Sequence, residues 1–264
     1  RQVAAAVERL SDVACCPVIP DDAFETERAV ALSEVAQLRD DMFRYPVRLA
    51  TEAAFGSHPY GSPVIGREAS LRVVTAEQAR AWHRERVLEA PALVGVVADA
   101  DPDMSAAMVA RDFAGLRLAE SATLAAPAWP GTVTTLVESR EKAQTALALA
   151  FPSPARRDVR RYEAQLLAGV ASGLGGRFFE ELRDKRSLAY TVHASANERR
   201  LAGTFLCYIA TSPEQEETAR DGVLAELAKL RDRPVSDEEL ERAKRYAVGT
   251  NAIRQESGSA LLSD

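Results

Sequence analysis

Arg183 and Tyr190 stand seven residues apart in the stretch Glu181-Leu182-Arg183-Asp184-Lys185-Arg186-Ser187-Leu188-Ala189-Tyr190, across a predicted helix-to-strand turn. A fork-shaped cation and a phenol at that spacing can donate hydrogen bonds to one bound group. Spacing alone also fits a surface arginine and a core aromatic. A second pair, Glu27 and Glu34, lies in Phe24-Glu25-Thr26-Glu27-Arg28-Ala29-Val30-Ala31-Leu32-Ser33-Glu34. Two helical turns put both on one face. Glu34 can point a carboxylate at a metal while Glu27 supports the same site, and the same spacing suits a solvated helix surface.

The remaining chemistry-bearing residues offer less. The three histidines are His58, His83 and His193, and none has the spacing His-x-x-Glu-His or His-Glu-x-x-His. A zinc site needs at least three protein ligands in tight geometry, and this chain shows at most one credible ligand. His58 sits in Gly56-Ser57-His58-Pro59-Tyr60-Gly61, where proline and glycine fix a turn and Tyr60 packs, a structural role. His83, beside Trp82, reads as a surface or boundary residue, and His193 alternates along a strand without a role. Cys15, Cys16 and Cys207 make an odd count and imply no disulfide framework. Cys207 reads as a structural thiol. The run Gly173-Leu174-Gly175-Gly176 lacks the register of a dinucleotide fingerprint.

Elements to position these groups follow from periodicity and punctuation. Helical patterns run over 1–16, 22–44 and 46–56, the first stopped by Pro17 and Pro20. Thr75-Ala76-Glu77-Gln78 forms a capping box for a helix to about Val87. The apolar run 92–98 reads as a buried strand, followed by a helix ending near Leu116. Residues 117–132 are rich in Ala, Pro, Thr and Ser, with Pro127 and Pro130 flanking Trp129, and read as a linker. Strands are predicted over 132–139, 144–151, 188–199 and 201–211, the last two as a hairpin. Helices are predicted from about 158 to the glycine run and over 177–187, 213–232 and 236–257, the last capped by Ser236 to Glu239. Strands followed by helices point to an α+β class with helices on one face of an antiparallel sheet.

Composition narrows the function classes. The chain is 47% hydrophobic and 27% charged, ordinary for a globular protein. A net charge of −6 argues against a general nucleic-acid surface. No apolar run approaches the roughly 18 residues of a membrane helix, so no transmembrane segment is expected. Both ends fall inside helical patterns, so the chain is expected to be part of a longer polypeptide, and its localisation stays open.

Together the glycine run, Glu181-Leu182-Arg183 and Leu188-Ala189-Tyr190 resemble the second domain of insulinase/pitrilysin-type zinc metallopeptidases, the inverzincins. The loop His58-Pro59-Tyr60-Gly61 is similar to a segment of the same family. The family's His-x-x-Glu-His motif is absent from this chain. The resemblance implies two similar α+β domains. The first, residues 1–116, is truncated at its N-terminus. The second, residues 133–264, is truncated at its C-terminus, and 117–132 links them. It implies Arg183 and Tyr190 as substrate-binding residues, Glu34 as the distal zinc ligand and Glu27 as an auxiliary acid. Zinc is then expected in the intact assembly and not in this chain alone. The implied function is part of a zinc-dependent endopeptidase acting on peptides or unfolded polypeptides, completed by a homo- or heterodimer partner or the rest of a longer chain. The rival reading is a catalytically inactive, metal-free half that binds substrate and completes a partner's active site, or a scaffold domain.

Overall fold

The computed structural model describes residues 2–116, 123–173 and 175–263. The first part of the predicted linker, 117–122, and Leu174 of the glycine run lie outside them. The helices in chain order are α1 (Gln2–Cys15), α2 (Asp21–Asp40), α3 (Arg44–Phe55), α4 (Glu68–Leu71), α5 (Ala76–His83), α6 (Pro102–Asp112), α7 (Arg161–Ser172), α8 (Glu216–Asp232), α9 (Asp237–Gln255) and α10 (Gly258–Ser263). The strands are β1 (Thr145–Ser153), β2 (Thr191–Glu198) and β3 (Gly203–Thr211). The class is α+β.

The chain divides into two compact units that do not follow chain order. One comprises residues 1–35, 66–124 and 252–264; the other comprises 36–65 and 125–251. In the first unit, local polar chemistry sets the helix starts. The Thr75 side chain accepts from Gln78 N while Gln78 returns to Thr75 N, the reciprocal box read from the sequence. Asp101 accepts from Met104 N at 2.9 Å and starts α6, with Pro102 in the first turn. His83 bonds Ala14 O through Nε2 at 2.8 Å, tying α5 to α1.

The second unit carries the sheet, antiparallel in the order β1-β3-β2. Ile209 pairs with Leu147 on one side and Val192 on the other; Cys207 pairs with Leu149 and Ala194. These residues share one face, which buries Phe205, Cys207 and Ile209 against Ala168 and Ala171 of α7, Ala219 and Val223 of α8, and Phe178, Leu182 and Leu188. The opposite face is also covered. Tyr208 donates to Met42 O at 2.7 Å and meets the Phe43 ring edge-on at 4.8 Å. Every residue of β3 is therefore buried.

Two predicted strands do not form. Residues 92–98 and 132–139 are neither helix nor strand. An apolar run becomes a strand only where a neighbour supplies the other half of the hydrogen-bond ladder, and no described strand pairs with either. Near residue 138 an ion cluster takes the ladder's place. Glu138 accepts from Arg140 at 2.5 and 2.8 Å, from Arg39 at 3.0 Å and from the Tyr45 hydroxyl. Those bonds hold its carboxyl down at about 2, the Tyr45 hydroxyl contributing most. Among the described residues no helix is long and apolar enough to cross a membrane.

Candidate functional site

The second unit builds its most chemically distinctive surface from the segment 173–190. Helix α7 ends at Gly173, whose N–H bonds Gly169 O at 2.8 Å. Gly176 N then reaches Gly173 O at 2.6 Å. A Cβ on Gly176 would stand 2.8 Å from both Ala171 O and Gly173 O, so only glycine fits this reversal. Gly175 completes it with φ +71°. Two residues of α9 hold the turn from outside. Arg177 forms a bidentate pair with Glu239 at 2.6 and 2.8 Å, and Arg242 donates to Gly175 O at 3.2 Å. The Arg177 fork draws the Glu239 carboxyl down to about 2.

The chain next winds as a π-helical turn, Phe179–Lys185, where the sequence predicts an α-helix. Such turns recur at functional sites. Phe178 and Leu182 are fully buried beneath it, while Phe179 and Arg183 share the outer side, the guanidinium 4.6 Å from the ring centroid. The exit is tight. Ser187 N bonds Arg183 O at 3.0 Å and Leu188 N bonds Leu182 O at 2.8 Å. Ser187 adopts φ 51°, a left-handed conformation held without glycine. Leu188 drops into the core and Tyr190 N joins β3 at Ala210 O, 2.9 Å.

This geometry brings Arg183 and Tyr190 to one cleft of about 230 Å³, lined also by Ser187, Leu188, Ala189, Thr211 and Gln215. Both side chains are exposed, Tyr190 by 59%. Arg183 forms no ion pair with the described residues, so its charge is available to a ligand. Glu27 and Glu34 belong to the other unit. Both are exposed on α2. Among the described residues no three His, Cys, Asp or Glu side chains gather to hold a metal. The described residues alone do not fit a zinc ion, since Glu34 belongs to no group of three such side chains.

The family described as Peptidase M16 inactive domain matches residues 74–246. The chain belongs to that family. An uncharacterized zinc protease of Mycobacterium tuberculosis is 30% identical to this M16 chain over 236 residues, 83% of this chain and 54% of the relative. An uncharacterized zinc protease of Streptomyces coelicolor is 26% identical over 265 residues, 97% of this chain and 58% of the relative. The chain thus spans little more than half the length of these curated relatives. The solved M16 inactive domain from Pseudomonas fluorescens superposes with a TM-score of 0.79 at 25% identity, covering 92% of this chain and 60% of that one. A Helicobacter pylori protease shares the fold with a TM-score of 0.83 at 18% identity, covering 99% of this chain and 65% of its own. The likeness read from the glycine run and the Arg183 and Tyr190 segments is therefore one of family.

The other residues singled out in the M16 chain have structural surroundings. His58 Nδ1 accepts from Tyr60 N at 3.1 Å, and its Nε2 lies 3.1 Å from Ala125 O. The Tyr60 hydroxyl accepts from Leu201 N at 3.2 Å, and Tyr60 O accepts from Arg199 at 2.6 Å, pinning the turn between β2 and β3. Burial lowers the pKa of His193 and pushes the Cys207 thiol up to about 12. Sequence reasoning missed Thr211. It is fully buried beside the cleft, and its hydroxyl has no hydrogen-bond partner among the described residues. Its only sequence signal is its place at the last position of the alternating β3 stretch.

Proposed function

We propose that this chain is the peptide-holding half of a zinc-dependent endopeptidase, with Arg183 and Tyr190 as its substrate-binding residues. The observation that carries this reading is that the two line one cleft while Arg183 forms no ion pair with the described residues. Arginine can donate two parallel hydrogen bonds to an oxygen-bearing group, and the phenol of the same cleft can donate a third. The cleft lies at the start of β2, an end strand of the sheet, where an extended peptide can add main-chain hydrogen bonds with little demand on its sequence. Zinc, in this reading, belongs to the whole assembly. Glu34 joins its ligand set, with Glu27 as an auxiliary acid, only where histidines from outside the described residues complete it.

The family's description as an inactive domain favours a second form of the proposal. There this half carries no hydrolysis itself and completes an active site on a partner or elsewhere in the polypeptide. Both forms share one test. Arg183→Ala should weaken peptide binding and, in the complete assembly, peptide cleavage by about ten-fold or more, the cost of losing a charge-assisted hydrogen bond. Arg183→Lys should restore only part, because an ammonium lacks the bidentate fork. Full activity of Arg183→Ala in the complete assembly would overturn the proposal.

A further inference from the structure

Six arginines gather at one end of the sheet. Arg156, Arg157, Arg160 and Arg161 lie where the chain leaves β1 and enters α7, and Arg199 and Arg200 lie on the turn between β2 and β3. The two segments form one surface, because Arg156 N donates to Arg199 O at 2.9 Å. The carboxylates within and beside these segments are Asp158, Glu163 and Glu198. Six cations thus meet three anions, a local excess of positive charge in a chain of net charge −6. Cations so close repel one another, and an anion from outside the chain relieves that repulsion.

The carboxylates are largely taken already. Asp158 accepts from the Arg160 guanidinium at 2.6 and 3.1 Å. Glu198 accepts from Arg161 at 2.7 Å and from Gln165. Arg199 is fixed, donating to Tyr60 O at 2.6 Å with its guanidinium 4.9 Å from the Tyr60 ring centroid. Arg157 and Arg200 are exposed, and their guanidinium groups form no ion pair or hydrogen bond with the described residues. Apolar groups stand among these cations. Val159 is 78% exposed on a turn held by Arg160 N, which donates to Asp158 Oδ1 at 2.9 Å. Tyr162 is 54% exposed, with the Arg161 guanidinium 4.3 Å from its ring centroid. A soluble acidic partner would use the arginines and leave the valine in water. An anionic lipid surface uses both, with arginines at the headgroup phosphates and the apolar tip beneath them.

We propose that this end of the sheet docks on an anionic membrane surface, with Arg157 and Arg200 on lipid phosphates and Val159 dipping into the headgroup layer. The contact is peripheral and rests on two short turns. It does not depend on the peptide-binding reading, since none of these residues lines the Arg183 cleft.

The test sediments the intact 264-residue chain with vesicles of pure phosphatidylcholine and with vesicles of phosphatidylcholine and phosphatidylglycerol in equal parts. Binding should require phosphatidylglycerol and fall as salt rises. Arg157→Gln with Arg200→Gln should weaken it about twenty-fold, at about five-fold for each cation removed, with the melting temperature unchanged. Arg220→Gln with Arg231→Gln, on α8, removes the same charge elsewhere and should weaken it far less. Equal losses from the two pairs would show attraction to net charge and overturn the assigned surface. Val159→Ser should weaken binding several-fold while keeping its salt dependence, and an unchanged affinity would overturn the choice of a membrane. Binding of poly-glutamate without sedimentation on either vesicle would reassign the surface to an acidic polypeptide. Displacement from vesicles by glycerol 3-phosphate at matched ionic strength would reassign it to a soluble phosphate ester. Absence of all binding overturns the proposal.

Discussion

Replacing Glu239 by glutamine isolates the ion pair that anchors the Arg183 segment. Glutamine keeps the size and the amide oxygen that can cap Ser236 N, and removes the charge. Glu239 accepts both arms of the Arg177 fork, and each of the two side chains is only 19% exposed. Its carboxyl is drawn from 4.5 to about 2, the Arg177 bonds contributing most and the Ser236 cap adding to them. A displacement of that size would be worth about 3 kcal/mol if wholly realised. Partial solvent screening and the immobilisation of two long side chains bring the expected loss in Glu239→Gln to about 2 kcal/mol. The folded-state value lies below the unfolded one. The contribution is therefore complete above about pH 4.5 and disappears as pH falls towards about 2. Urea unfolding followed by tryptophan fluorescence measures it. The chain has two tryptophans, Trp82 in one unit and Trp129 in the other. In a Trp82→Phe background, Trp129 reports on the unit that contains Glu239. The midpoint should fall by about 1 M urea at pH 7, and the gap between variant and parent should shrink by more than half at pH 3. An equal gap at both pH values would show that packing, not charge, anchors the turn.

Gly176→Ala should cost more than about 2 kcal/mol, because its Cβ would press on backbone atoms at 2.8 to 2.9 Å. Gly222→Ala should cost less, since its neighbours at 3.0 and 3.2 Å are the ends of the Leu182 and Arg186 side chains. Thermal denaturation ranks the two, and the reverse order would refute the argument. Alkylation at pH 8 should modify the exposed Cys16 first and the half-buried Cys15 more slowly, whose thiol is raised by burial and by Cys16 and Asp12. It should reach Cys207, pushed up to about 12, only in denaturant. Mass spectrometry of the native protein showing Cys207 labelled as fast as Cys16 would contradict the buried assignment.

Features written in consecutive residues were legible in the sequence. Thr75 with Gln78 and Ser236 with Glu239 cap their helices as read, because each device closes within four residues. The alternation of Phe205, Cys207 and Ile209 marked β3, although its polar-looking face proved as buried as the other. The runs at 92–98 and 132–139 misled because apolar content states what a segment avoids, not which neighbour completes it. The cluster of Arg39, Tyr45, Glu138 and Arg140 joins residues about a hundred positions apart, and no local pattern announces it. The π-helical turn at Phe179–Lys185 was likewise hidden. Its winding accompanies Phe178 and Leu182 reaching one core together, a fact of packing and not of spacing. Arg183 and Tyr190 stood out because their segment resembles a family, whereas the full burial of Thr211 is a fact of packing that no sequence records.

The interleaving of the two units changes what a cut in the backbone would do. A nick within residues 125–131 leaves 36–65 on one fragment and the sheet on the other, yet both belong to the same unit. Across such a cut, Tyr208 still holds Met42, Arg199 still holds Tyr60 and Glu138 still holds Tyr45. Cleavage of the covalent chain and separation of its pieces are thus different events here. The nicked protein should migrate as two bands under denaturing conditions while sedimenting as one particle, in the manner of a non-covalent heterodimer made from a single gene product.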